Sequence, residues 1–157
     1  MNPQIQRLRS DIAADRGALA RHLSVLERVP LTDLADEADL ALVAWSLHHA
    51  YCAIEAVLER VARVLEGGVP AGADWHRELV SGAFREIINV RPCIFRATNA
   101  VQLHDLRGFR HVVRHAYDFE LEVAPLQRLR AITLELRDQL AADLDEFDRW
   151  LGAAAGV

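Results

Sequence analysis

The chain has 157 residues, a formal net charge of −5, 52% hydrophobic residues and 26% charged ones. That length allows one domain, residues 1–157, with a core of its own, and the composition excludes a disordered chain. An acidic chain is no general nucleic-acid coat, so any nucleic-acid site must be a local basic patch. All 18 basic residues are Arg. Cys52 and Cys93 are far apart and form no CxxC pair, which fits reduced thiols. The N-terminal stretch has no apolar leader, and no apolar run reads as long enough to span a bilayer. The expected compartment is the cytoplasm.

Strand signals are nearly absent, and Ala, Leu, Arg and Glu dominate. The first predicted helix runs from Pro3 to Val29, with Ile5, Leu8, Ile12, Leu19, Leu23 and Leu26 as its apolar stripe. Pro30 stops it. Thr32 or Asp33 is placed to cap a long second helix that reaches Leu65. Its seam is Leu40, Leu47, Tyr51, Ile54, Leu58, Val61 and Leu65, suited to packing on other helices or on a second copy. Residues 67–72, GGVPAG, break it. Asp74 is placed to cap a third helix carrying Trp75, Leu79, Phe84 and Ile87. Residues 89–95 read as a loop around Pro92. A fourth helix spans Asn99 to Tyr117 and a fifth Pro125 to Leu151. The pattern predicts an all-α, up-and-down bundle of about five helices.

The segment that carries chemistry is HDLRGFRHVVRHAY, residues 104–117. At 100° per residue, Leu106, Phe109, Val112, Val113 and Ala116 fall within about 120° on one apolar face. The other face gathers Arg107, Arg110 and Arg114, His104, His111 and His115, and Tyr117. A solvated face normally mixes both signs; this one is almost free of carboxylates in an acidic chain. Any lone Arg or His there reads as a surface cation paired with a neighbouring carboxylate, but the constellation as a whole points to a site. Guanidinium forks match phosphate oxygens, and imidazole moves protons near neutral pH. RNA brings its own nucleophile, the 2′-OH. The face therefore suits metal-independent cleavage of RNA to a 2′,3′-cyclic phosphate and a 5′-OH.

Arg110, four residues, His115, one residue, Tyr117 resembles the R-x4-H-x-Y signature of HEPN-domain toxins of the HepT-like family. The flanking LRGFRHVVRHAYDFEL and the WHREL of residues 75–79 are similar to family segments, as is the helix order with the motif on the fourth helix. The resemblance implies an endoribonuclease toxin, dimeric with two motifs across one cleft. It also implies a partner, a nucleotidyltransferase antitoxin of the MNT kind that adenylylates the motif tyrosine. Carried onto this chain, Arg110 and His115 are catalytic and His111 assists. Tyr117 is the modification site, and His111 is an alternative phosphate binder; from the chemistry of the face itself, Arg107 and Arg114 are expected to bind substrate phosphate. The expected mechanism has His115 taking the 2′-OH proton and Arg110, with Arg114, stabilising the phosphorane. A histidine of the second protomer then protonates the leaving oxygen. No cofactor is implied. The N-terminal half, with its long second helix, points to a subgroup of the family.

Other readings are weaker. His111 and His115 have the i,i+4 spacing of helix metal ligands, but HExxH is missing and Arg110 and Arg114 repel a cation. His48 and His49 point about 100° apart on their helix and chelate one ion poorly; one is expected exposed and the other packed or hydrogen-bonded. His22 and His76 carry no constellation alone, although His76 reaches the motif if the third helix packs beside the fourth. GGVPAG lacks the lysine of a phosphate loop. A catalytically silent nucleotide- or RNA-binding partner of a nucleotidyltransferase would use the same face without cleaving, and a pure scaffold would have no reason to cluster His, Arg and Tyr.

Overall fold

The computed structural model describes residues 2–114 and 120–156, without the side chains of Val112 and Arg114. Helix α1 (Pro3–Arg28) starts where its sequence dictates. The Asn2 side chain accepts the Gln4 and Ile5 N–H groups at 3.0 and 3.4 Å, and Pro3 takes the first helical position, where its missing N–H costs nothing. Ile5, Leu8, Ile12, Leu19, Leu23 and Leu26 are buried, as their spacing predicts.

Helix α2 (Glu37–Leu65) starts later than Thr32 or Asp33. Thr32 instead closes a turn: its carbonyl accepts the Ala35 N–H at 2.9 Å and its hydroxyl the Leu34 N–H at 3.3 Å. Leu31 is buried just before this turn. Asp36 is the cap, accepting the Asp39 N–H at 2.9 Å. Within α2, Leu47, Tyr51, Ile54, Leu58 and Val61 are buried, and the helix touches all four of the other long elements. By length and composition α2 could cross a membrane, with a mean hydropathy of 1.3. This corrects the expectation that no apolar run is long enough. Over half of that stretch, 56%, is buried inside the protein, because the central helix of a bundle is apolar on most of its faces.

Helix α3 (Trp75–Ala83) is shorter than its apolar pattern. Asp74 stands at its N-cap, but its side chain makes no capping bond. The chain leaves the helix at Phe84 and folds into a narrow loop closed by an isolated bridge between Ile87 and Arg91. Asn89 holds φ = 63°, a left-handed conformation that asparagine tolerates better than most residues. Arg91 lies beneath the loop, buried. Its Nε donates to Glu66 at 2.6 Å, Nη1 to the carbonyls of Arg85 and Pro92 at 2.8 and 2.9 Å, and Nη2 to that of Gly82 at 3.1 Å.

A single 3-10 turn (Ala97–Asn99) leads into α4 (Ala100–Arg114). Asp143, buried on α5 (Val123–Ala154), fixes this entry. Its carboxylate accepts the Arg96 N–H at 3.0 Å and the Asn99 amide at 3.2 Å, and pairs with the Arg96 guanidinium at 2.9 Å. The start of α4 is thereby tied to α5, and α4 packs on α2, α3 and α5. The terminal helices are joined by a bidentate Arg9–Asp148 pair, both bonds 2.8 Å. Leu103, Leu106 and Phe109 face the core. Among the described residues the architecture is an all-α bundle of five helices.

Candidate functional site

The site grows from one carboxylate. Glu55 sits on α2 with only 4% of its surface exposed, one turn after Tyr51. A buried carboxylate must be hydrogen-bonded or paired, and Glu55 is both. The Tyr51 hydroxyl donates to Oε2 at 2.7 Å, and His76 Nδ1 reaches the same oxygen at 2.7 Å. Arg110 Nε lies 3.6 Å from Oε1, an ion-pair distance but too long for a hydrogen bond. Burial, and next the charge of Glu55 and its hydrogen bond, hold the Tyr51 phenol far above its ordinary pKa, so it stays a donor.

Three helices meet here. α2 brings Tyr51 and Glu55, α3 brings His76, and α4 brings Arg110. Arg110 Nη1 stands 3.4 Å from His76 Nε2, so α3 does pack beside α4 and His76 does reach the motif helix. A carboxylate accepts only, so His76 Nδ1–H is the donor to Glu55; in the neutral imidazole Nε2 then carries the lone pair toward Arg110. The imidazole stacks on Trp75 with ring centroids 3.6 Å apart. The side chains of Arg110 and His76 keep 17% and 22% of their surface exposed.

One turn toward the start of α4, Arg107 Nε donates to His104 Nδ1 at 3.3 Å, and His104 Nε2 stands 3.3 Å from the Ser81 hydroxyl of α3. Burial, then the charges of Arg107 and Arg77, hold His104 below its ordinary pKa of 6.5. Arg77, Arg107 and Arg110 thus bring three cations to the α3–α4 face. His104, Arg107 and Arg110 of the polar face are all half-buried: His104 meets Ser81 of α3, Arg110 meets Glu55 of α2 and His76 of α3, and Arg107 is held to His104 on its own helix. His111 is exposed. Arg114 ends α4, with its side chain outside the described residues, and His115 and Tyr117 lie outside them as well.

Glu55 and Ser81 are not singled out by the sequence, and Tyr51 reads there only as part of the α2 seam. Glu55 had a readable signal: a lone carboxylate inside the apolar run AYCAIEAVL, on the buried side of a helix.

A second group of rings lies on α1 and α2. His49 Nδ1 donates to the Trp45 carbonyl at 2.9 Å and its ring stacks on Trp45 at 3.8 Å. His22 of α1 faces His49 at 5.4 Å. His49 is thus hydrogen-bonded, and both it and His48 are half-buried, so the expectation of one exposed histidine does not hold. His22 is held below its ordinary value of 6.5, first by burial and then by the charges of His49 and Arg21.

His22 and His104 therefore resist protonation more in the fold than in the unfolded chain. Their contribution is complete above pH 6.5 and is lost as pH falls through that value toward their lower folded pKa values. The urea midpoint is expected to drop between pH 7 and pH 5 and to drop less steeply in a His22→Gln/His104→Gln variant. Equal slopes for the two proteins would show that these imidazoles do not carry the effect.

The bundle, with an Arg/His face on its fourth helix, is of the HEPN type. The chain belongs to the HepT-like family: a family model described as HepT-like protein matches residues 42–151. The match runs from the first turns of α2 through most of α5 and so takes in every residue of the Glu55 cluster. No curated protein and no solved structure matches the chain.

Proposed function

We propose that this protein is an endoribonuclease toxin that cleaves RNA at the α3–α4 face without a metal, through Arg110 and His115. The observation that carries the reading is the Arg110 guanidinium, held against buried Glu55 with an imidazole in reach, on the helix that leads into the R-x4-H-x-Y motif. Membership of a family of HEPN toxins supports it. Arg110, with Arg107 and Arg114 along the same helix, binds the scissile phosphate and stabilises the charge that builds on it. His115 moves a proton, with His111 assisting. The 2′-OH is the nucleophile, so the chemistry asks the protein only for cations and proton carriers.

Two further parts belong to the same reading. The protein acts as a homodimer with two motifs across a cleft, in the cytoplasm. Its antitoxin is a nucleotidyltransferase of the MNT kind that adenylylates Tyr117, and the added anion occupies the arginine face and blocks RNA phosphate. A second reading, a silent nucleotide- or RNA-binding partner of a nucleotidyltransferase, draws on the same cations, since binding needs no proton carrier.

Induction of the wild type in bacteria is expected to arrest growth and fragment RNA, whereas Arg110→Ala and His115→Ala leave both intact. Normal growth with intact RNA from the wild type would favour the silent partner. Fragmentation by either variant would remove the motif from the mechanism.

A further inference from the structure

Cleavage by a 2′-OH needs two proton transfers, one off the nucleophile and one onto the leaving 5′-oxygen. In the ribonuclease reading the R-x4-H-x-Y motif supplies His115 for one of them. We propose that His76 supplies the other from within the same protomer, as the general base, oriented by Glu55. This assignment rests on the ribonuclease reading above.

The geometry is that of a carboxylate–imidazole dyad. Glu55 accepts from His76 Nδ1–H at 2.7 Å, which fixes the tautomer and leaves the Nε2 lone pair available. The carboxylate also favours the imidazolium that forms when Nε2 takes a proton, as the aspartate does in a serine-protease triad. The Tyr51 hydroxyl holds the same carboxylate oxygen at 2.7 Å, so the dyad has a rigid back. Trp75 covers one face of the ring. The Nε2 edge points to Arg110, the residue that binds phosphate in this reading. At 3.4 Å the Arg110–His76 contact is long, at the weak end of hydrogen bonding, so it gives way when the guanidinium turns to a phosphate. A ribose 2′-OH next to that phosphate then lies beside the freed lone pair.

The step balances without a co-reactant. His76 Nε2 takes the 2′-OH proton, the 2′-oxygen bonds to phosphorus, and the P–O5′ bond breaks. The leaving oxygen takes its proton from His115. The products are a 2′,3′-cyclic phosphate and a 5′-OH; His76 then gives its proton to water and His115 takes one back from water, which resets both groups. The motif histidine thereby moves to the acid step, and no histidine of a second copy is required. Glu55 is a positioning residue, acting through His76.

The test uses single-turnover cleavage of an oligoribonucleotide by the full chain. It compares wild type, Arg110→Ala, His76→Ala and His76→Gln, with a thermal melt of each. Glutamine keeps a donor for Glu55 but cannot take a proton, so it separates chemistry from folding should the alanine variant unfold. Loss of about 10²–10⁴-fold in rate by His76→Gln, with near-wild-type melting and KM, is expected. The rise of rate with pH on the acidic limb should disappear with it. The same enzymes are run on a substrate whose leaving 5′-oxygen is replaced by sulfur, which departs without an acid. A base variant stays impaired there, so rescue of His76→Gln on the sulfur substrate would overturn the assignment, as would cleavage within about threefold of wild type. In either case an active wild type and a dead Arg110→Ala leave the ribonuclease reading standing. No cleavage by the wild type, or full cleavage by Arg110→Ala, would instead overturn that reading and this assignment with it.

Discussion

Arg110→Lys is expected to lower RNA cleavage by about 10²–10³-fold, the cost of one transition-state donor, while the melting midpoint stays near that of the wild type. Lysine keeps the positive charge beside Glu55, so the buried carboxylate is not left unpaired. What it loses is the fork. Arginine sets Nε 3.6 Å from Glu55 and, at the same time, Nη1 3.4 Å from His76; an ammonium carries its three donors on a single nitrogen and lacks the spread of the fork. The planar group also matches two phosphate oxygens at once, which an ammonium does not. Cleavage rates on one oligoribonucleotide, set beside thermal melts, decide the matter. A fully active lysine variant would show that charge alone suffices at this position. Arg110→Ala is the harsher change, since it strips Glu55, 4% exposed, of its guanidinium.

The largest expected effect on stability lies elsewhere, at Arg91. Its side chain is 2% exposed and satisfies Glu66 and three backbone carbonyls. Truncation to alanine leaves those acceptors without their donors, and removing one partner of a buried pair costs about 3–5 kcal/mol. The low end, about 3 kcal/mol, applies because Glu66 keeps contact with water. For a chain of this size that corresponds to a melting point lower by about 6–12 °C. Arg91→Met, which restores volume but no donors, is expected to recover only part of it. Calorimetric melts of the three proteins check this, and a methionine variant as stable as the wild type would show that Arg91 acts by packing alone.

The helices were legible because their signals are local. The stripe from Ile5 to Leu26 and the seam from Leu47 to Val61 give period and burial together. The boundaries that slipped were those where a side chain chose between two backbone partners. Thr32 closes a turn and yields the cap to Asp36. α3 ends at Ala83 because the following loop is organised from below by Arg91, whose partners are spread from Glu66 to Pro92. No periodicity within the loop announces that.

The site was half legible for the same reason. Arg107, Arg110, His104 and His111 share one helix, and a wheel collects them. Glu55 and His76 come from two other helices, and nothing in the sequence between them says they meet. Phe109 and Leu106 bury the apolar face of α4, and that burial brings Arg110 down onto Glu55. Packing thus turns a row of cations on one helix into a paired and half-buried cluster.

The glycine-rich turn after α2 has a consequence for how the molecule could be taken apart. Gly67 and Gly72 hold φ values of 83° and 106°, open to glycine and costly for other residues. Neither has a neighbour near enough for an added methyl to touch. The turn lies between Glu55 and His76 in the chain. A break in it divides the polar cluster between two fragments, the carboxylate and tyrosine with one and the imidazole and guanidinium with the other. Neither fragment alone holds the dyad, so in a split form of this protein activity becomes a report on whether the two pieces have found each other.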